Sequence, residues 1–165
     1  MNDFSQSGCE IRSARREDVI PILEMVRELA EFEKMTDQLV ATPADYEEAL
    51  FGEAPAAEAL VAEIDGEKIG YAIFFSTFST FVGKAGVWLE DLYVKPSHRK
   101  LGIGKGLLKA VGEIAEKRGA GRYEWCVLDW NRNAIDLYES VGGDILDEWR
   151  IVRLDRAAIE VLPEK

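Results

Sequence analysis

Cysteine and histidine are scarce in this sequence, which has two cysteines and one histidine among its 165 residues. Cys9 and Cys126 stand far apart, so the sequence predicts no disulfide framework. With His98 they form no zinc-ligand set, and we expect no metal. No apolar run approaches the roughly 20 residues that a transmembrane helix needs, and the first residues lack a signal-peptide pattern. These absences favour a cytoplasmic protein without a membrane partner.

Positively charged residues are also few compared with negatively charged ones. The chain has 20 Lys and Arg residues against 31 Asp and Glu residues, which gives a net charge of −11. Such a chain repels the phosphates of nucleic acids at long range, so we expect no nucleic-acid partner. The same charge favours a small cationic substrate.

The length and composition predict one α/β domain. A chain of 165 residues, 47% of them apolar, is long enough for one substantial core and short for two. We interpret residues 1–9 as a flexible leader and residues 10–165 as the domain. Apolar periodicity and turn residues predict the element order β-α-α-β-β-β-α-β-α-β. The predicted strands are 10–14, 59–64, 68–78, 87–94, 123–128 and 149–154.

A glycine-rich turn follows the fourth predicted strand. Pro96 ends that strand, and Arg99 to Gly106 then supplies three glycines and three cations before a helix with apolar residues at helical spacing. Backbone N–H groups at the start of a helix attract phosphate. Lys105 is followed by glycine instead of a hydroxyl residue, which excludes a Walker loop, and Leu107 stands where a dinucleotide fingerprint needs glycine.

The pattern Arg-x-x-Gly-x-Gly, carried by Arg99, Gly102 and Gly104, resembles the acetyl-CoA loop of the GNAT N-acetyltransferases. Further segments resemble the diamine acetyltransferase branch, whose members act on spermidine, spermine or thialysine. They are 27–35, 51–53, 60–63, 89–94 and 127–131, and the similarity runs from about residue 11 to residue 149. This resemblance implies a single-domain GNAT fold, with a mixed, mostly antiparallel twisted sheet and helices on both faces. It also implies a homodimer.

The resemblance implies a set of site residues as well. Tyr138 matches the general acid, and Phe32, Glu33 and Glu90 match the amine-site positions. Acetyl-CoA would be held by three segments: Leu92, Tyr93 and Val94; then Arg99, Lys100, Leu101, Gly102, Ile103, Gly104 and Lys105; then Asn131, Arg132, Asn133 and Ala134. The sequence departs from the branch at Lys100, where glycine is usual, and at 56–58 and Phe81, which puts the preferred substrate length in doubt.

Several of these roles have alternatives. Glu90 either takes the amine proton as general base, only binds the ammonium, or is a surface carboxylate. Tyr138 is either the proton donor or a core aromatic, and Asn131 either meets the cofactor or only caps a helix. Strand alternation predicts that Asp91 points away from Glu90 and serves structure. We expect Cys126, on an apolar strand, to be a buried small hydrophobe.

The sequence therefore predicts an N-acetyltransferase that moves acetyl from acetyl-CoA to a primary amine of a small cationic substrate. Transfer would be direct, within a ternary complex, and would need no metal. Two alternatives stay open: a non-catalytic module that senses acetyl-CoA or an amine, and an enzyme that acetylates a protein N-terminus or lysine.

Overall fold

A computed structural model describes residues 8–164 of the chain. The leader predicted over residues 1–9 therefore lies outside the described residues except for its last two. The chain forms two compact units, the first ending at Cys126 and the second beginning at Val127.

The first unit contains a five-stranded sheet whose strands lie side by side in chain order. The first four are antiparallel, and the fifth pairs with the fourth in parallel. The strands are β1 (Glu10–Ser13), β2 (Glu58–Ile64), β3 (Glu67–Ser79), β4 (Lys84–Val94) and β5 (Tyr123–Trp125). Asp65 and Gly66 both adopt left-handed backbone angles, as expected for a two-residue hairpin between β2 and β3.

Three longer helices accompany this sheet: α1 (Val19–Glu33), α2 (Pro43–Phe51) and α3 (Ile103–Lys117). Thr42 caps α2 as predicted: its hydroxyl accepts from the backbone N–H of Asp45, and its own N–H donates to the Asp45 carboxylate at 2.7 Å. Pro43 occupies the first turn, where its missing N–H leaves no bond unmade.

The two faces of the sheet are covered by different helices. Tyr71, Ile73 and Tyr93 lie in one buried cluster with apolar side chains of α1 and α2. Gly70 faces the other way, where an added Cβ would lie 3.4 Å from Leu107 of α3. This arrangement confirms the predicted α/β class, with a mixed, mostly antiparallel sheet and helices on both faces.

A buried ion pair joins the start of α1 to the sheet edge. Asp18 is fully buried, and Arg12 of β1 contacts its carboxylate at 2.7 Å. Arg12 also contacts Glu63 of β2 at 2.7 Å. Buried charges are stable only when they are paired, so this group ties β1, β2 and the entry of α1 together.

The second unit contains α4 (Arg132–Ser140) and a short helix α5 (Arg156–Val161). The strand predicted over 149–154 is wrong: this segment has no regular structure, and Trp149 is 75% and Val152 89% exposed. A strand needs a neighbouring strand to pair its backbone groups. None of the described residues of this unit lies in a strand. The prediction also missed α5.

The fifth strand is shorter than the predicted 123–128, since it ends at Trp125. Cys126 follows it and is exposed, so the prediction of a buried cysteine is wrong as well. Among the described residues, no helix combines the length and apolar character required to cross a bilayer.

Candidate active site

The centre of the site is the place where β4 separates from β5. The parallel pairing covers only Val87, Trp88 and Leu89, whereas β4 continues to Val94. From Glu90 onward no β5 residue of the described chain pairs with β4. Its backbone groups on that side are therefore left for another strand-like partner.

A β-bulge lies at the same point. Phe74 of β3 pairs with Leu89, and Ile73 pairs with Asp91, so Glu90 is an extra residue without a partner in β3. Bulges bend a strand and redirect its side chains. The indole N–H of Trp88 donates to Glu90 Oε2 at 3.0 Å, which holds this exposed carboxylate on the Trp88 side of the sheet.

The bulge also changes the position of Asp91. Trp88 pairs with Phe75 and Asp91 with Ile73, and these two partners share one face of β3. The hydroxyl of Tyr71, on that same face, donates to Asp91 Oδ2 at 3.4 Å. The prediction that Asp91 points away from Glu90 is therefore wrong, because the alternation on which it rests is broken between the two residues.

Asp91 is the most perturbed carboxyl of this region. Burial raises its pKa to about 6, and the negative charges of Glu90 and Glu33 add to the rise, while the hydrogen bond from Tyr71 opposes it. A carboxyl with a pKa near 6 is half-ionised at about pH 6, well above the ordinary range of aspartate, and such shifts are typical of functional sites.

Two further titratable groups near Asp91 come from different helices. Glu33 ends α1, and partial burial raises its pKa. Tyr46 of α2 has its pKa raised to about 12, first by burial and then by the charge of Asp91. Phe32, beside Glu33, is 40% exposed. The structure thus brings the predicted residues Glu33 and Glu90 into electrostatic reach of Asp91.

The glycine-rich loop follows the open end of β4. Lys100 has a left-handed backbone with φ 64°, and Gly102 caps the start of α3 with φ 78°. No side chain caps this helix, so its first N–H groups are oriented toward any ligand at the loop. With Lys100 and Lys105 nearby, these groups fit a pyrophosphate.

The guanidinium of Arg99 is engaged within the protein. Its Nε donates to the carbonyl oxygen of Val94 at 3.0 Å, and its Cζ lies 5.5 Å from the ring centroid of Phe32 and 5.7 Å from that of Tyr93. The predicted cofactor residue Arg99 therefore contacts the predicted amine-site residue Phe32.

The remaining predicted residues lie in the second unit. Asn131 is the N-cap of α4, and its Oδ1 accepts from the N–H of Ala134 at 3.3 Å. Arg132 and Asn133 occupy the first turn of that helix. Tyr138 is buried. Over residues 8–164, no group of His, Cys, Asp and Glu side chains is arranged to hold a metal ion.

Comparison with known proteins identifies this combination of open strand and glycine loop. A sequence model described as "Acetyltransferase (GNAT) family" matches residues 23–143. The chain belongs to the GNAT family. Enzymes of this family use acetyl-CoA, and the loop of this GNAT chain fits the pyrophosphate of that co-substrate.

Two relatives of this GNAT protein are N-acetyltransferases. It is 41% identical over 170 residues to the thialysine N-epsilon-acetyltransferase of Sus scrofa, covering 94% of this chain and 97% of that protein. It is 31% identical over 197 residues to the L-ornithine N5-acetyltransferase NATA1 of Arabidopsis thaliana, covering 92% and 86%. The predicted activity, acetyl transfer to an amine, is confirmed, and the predicted branch fits these relatives.

A solved structure supports the fold alone. The integron cassette protein VCH_CASS6 from V. cholerae superimposes with a TM-score of 0.78 at 22% identity, covering 96% of this GNAT chain and 99% of that one.

Sequence reasoning missed the surroundings of Asp91. Trp88, Tyr46 and Tyr71 all look like core aromatics in the sequence, and only the bulge reveals which carboxylate they face. The adjacent acidic pair at 90 and 91, in the middle of an apolar strand, is the one signal that marked this position.

Asp91→Asn tests how much the burial of Asp91 and the repulsion from its acidic neighbours destabilise the fold. The ordinary aspartate pKa is 3.8, and that of Asp91 is about 6. A carboxyl whose pKa is raised on folding stabilises the fold fully only below its unfolded pKa, and this contribution is lost as the pH rises through its folded pKa. We therefore expect the variant to gain stability relative to the wild type as the pH rises from about 4 to about 7, by at most about 3 kcal/mol.

Urea unfolding across this pH range measures the gain. Glu31→Gln, which removes an exposed carboxylate of α1, is the control and should change stability by less than about 0.5 kcal/mol. A stability difference between Asp91→Asn and the wild type that stays constant with pH would contradict the prediction.

Proposed function

We propose that this enzyme acetylates a primary amine of a small cationic substrate, either a diamine, a polyamine or a thialysine- or lysine-like amino acid. The observation that carries the proposal is the acidic cluster of Glu33, Glu90 and Asp91 at the open end of β4. An ammonium group placed there would offset the mutual repulsion of these carboxylates, which gives the site a preference for cations.

Glu90 is the proposed general base. An alkyl ammonium has a pKa of about 10 and must lose its proton before it attacks a thioester. Glu90 lies at the bulge, is exposed, and stands where the unpaired edge of β4 begins. Asp91 is more enclosed, and we assign it to holding positive charge beside the base. Phe32 and Glu33 would contact the rest of the substrate.

Tyr138 is the proposed acid, which would donate its phenolic proton to the departing thiol sulfur as the new amide bond forms. Acetyl-CoA would supply the acetyl group as a reactive thioester. The proposed cofactor residues remain those predicted from the sequence. For Tyr93, whose side chain is buried and donates to Glu28, the contribution would come from the backbone alone.

Among the proposed substrates, the relatives favour amino acids with a side-chain amine. The enzymes from Sus scrofa and Arabidopsis thaliana are described as acting on thialysine and L-ornithine, which are amino acids with a side-chain amine. We therefore rank such amino acids above polyamines. A cytoplasmic location and a homodimer stay predictions. The alternatives, a sensing module or a protein acetyltransferase, would show no turnover with any small amine.

The central test is a panel of amines at saturating acetyl-CoA, read as free thiol released. We expect turnover with thialysine, ornithine, lysine or diamines, and much less with monoamines of equal length, which lack the second positive charge. Glu33→Gln should lower kcat/KM for doubly cationic substrates by roughly tenfold, the value of one charge-assisted contact.

The matched control for the panel is Glu31→Gln, two residues earlier and exposed on the same helix. It should leave all substrates unaffected. Equal losses for dications and monoamines in Glu33→Gln would restrict Glu33 to a structural role, and an absence of turnover with every amine would contradict the proposed function.

Glu90→Gln tests the base. We expect turnover at neutral pH to fall by roughly 100-fold, which is usual for the loss of a proton-transfer group. The deficit should shrink as the pH approaches the pKa of the amine, because solution then supplies the free base. A pH–rate profile from about 6 to about 10 measures this. A deficit of equal size at every pH would assign Glu90 to binding.

Tyr138→Phe tests the acid, since it removes one oxygen and retains the ring. We expect a loss of turnover of roughly 10- to 1,000-fold with both substrates still binding. The loss should nearly vanish with an acyl donor whose thiol is more acidic, because that sulfur needs less protonation. Full activity of the variant on acetyl-CoA would make Tyr138 a packing residue.

A further inference from the structure

Arg99 lies between the proposed cofactor loop and the end of α1 that we propose binds the amine. It follows the short turn of helix at Pro96–His98 and precedes Gly102, the N-cap of α3, by three residues. Its Nε donates to the carbonyl oxygen of Val94 at 3.0 Å, so the side chain turns back over the end of β4. The backbone of Arg99 is therefore part of the cofactor loop, whereas its side chain contacts the end of β4.

The guanidinium also contacts α1 at its last turn. Its Cζ lies 5.5 Å from the ring centroid of Phe32. Glu33 is the next residue, and Lys34 then ends the helix in a left-handed conformation, with its N–H directed to the carbonyls of Ala30 and Glu31. A displacement of Phe32 within this closed turn displaces Glu33 with it.

A second connection holds α1 to β4 one turn earlier. The hydroxyl of Tyr93 donates to Glu28 Oε2 at 2.7 Å, and the Tyr93 ring packs near Tyr71 with centroids 6.1 Å apart. Tyr93 is 4% exposed, whereas Phe32 is 40% exposed. The connection through Tyr93 is thus part of the core, whereas the contact between Arg99 and Phe32 lies nearer the surface.

We propose that Arg99 is a positioning residue that couples the cofactor loop to the amine-binding end of α1, so that CoA and amine bind cooperatively. When a pyrophosphate orders the loop at Gly102 to Lys105, the backbone of Arg99 is ordered too, and its guanidinium fixes Phe32 and Glu33. The coupling is reciprocal, since each ligand must raise the affinity for the other by the same factor.

The proposal rests on the proposed function, and it differs from a role for Arg99 as a phosphate ligand alone. Its Nε donates to the carbonyl oxygen of Val94, and its guanidinium lies over the rings of Phe32 and Tyr93, so the side chain is already engaged within the protein. A pure phosphate ligand would change CoA affinity without changing cooperativity. A positioning residue changes cooperativity even when a cation is retained, because lysine has neither the planar group that stacks on Phe32 nor the Nε donor.

The experiment is calorimetric titration of CoA in the absence and presence of a saturating amine that the panel has shown to be a substrate. CoA carries no acetyl group, so no reaction consumes the amine. For the wild type we expect the amine to tighten CoA binding by roughly fivefold or more, the lower end of typical couplings. In Arg99→Lys, CoA alone should bind within about threefold of the wild type, and the coupling factor should fall to within about twofold of one.

Two further variants separate positioning from folding. Phe32→Leu keeps an apolar side chain and removes the ring face, so it should lose the coupling while leaving the CoA-alone affinity unchanged. Arg16→Lys alters a similar contact elsewhere, since Arg16 lies 5.7 Å from the ring centroid of Phe51 and donates to its carbonyl oxygen at 2.6 Å. It should retain the wild-type coupling.

A wild type without cooperativity, or an Arg99→Lys enzyme that keeps it, would overturn the inference while leaving the proposed function intact. Loss of coupling in Arg16→Lys to the same extent would also overturn it. Failure of the proposed function is recognised separately and beforehand, as a wild-type enzyme that turns over no amine in the panel.

Discussion

The backbone of β4 from Asp91 to Val94 is paired with β3 on one side and with no described residue of β5 on the other. N–H and C=O groups left this way need a partner, and the amides of a pantetheine chain provide a series of donors and acceptors resembling a strand. The same strand ends in a loop whose helix N-terminus has no side-chain cap. One interrupted pairing thus places an unpaired strand edge directly before the glycine-rich turn, which is the order that the proposed binding of acetyl-CoA requires.

The bulge at Glu90 brings two carboxylates together at this edge. An uninterrupted strand would send neighbouring side chains to opposite faces, whereas here Glu90 and Asp91 influence each other on one side. Bringing like charges together costs folding free energy, and natural proteins retain such costs mainly at functional sites. The repulsion among Glu33, Glu90 and Asp91 is the electrostatic basis of the cation preference that we propose, and it acts independently of the net charge of the chain.

Much of the architecture was predictable because it depends on local chemistry. The Thr42–Pro43 helix start, the Asp65–Gly66 hairpin and the glycine loop each follow from backbone preferences of a few residues. Features that depend on pairing were not predictable. The residues at 149–154 have strand-forming side chains but no strand among their described neighbours, and β5 ends at Trp125 because its pairing with β4 ends at Leu89.

The candidate site shows the same division. The assignment of Glu90 and of the loop to the site stays a prediction from sequence resemblance, carried by contiguous motif residues. The proximity of Asp91 to Tyr71 and Tyr46 could not be predicted, because it depends on one extra residue in β4, and the acidic pair at 90 and 91 does not show that a bulge lies there.

Lys100 has a consequence for how the loop meets its ligand. Its left-handed backbone, at φ 64°, is one that glycine adopts freely and lysine adopts at some cost. A lysine at this position also restricts the unfolded chain more than glycine would, so the loop has less conformational entropy to lose when it becomes ordered. The native loop therefore stores a small strain, and in exchange its ordering by a ligand costs less conformational entropy than it would with glycine at this position.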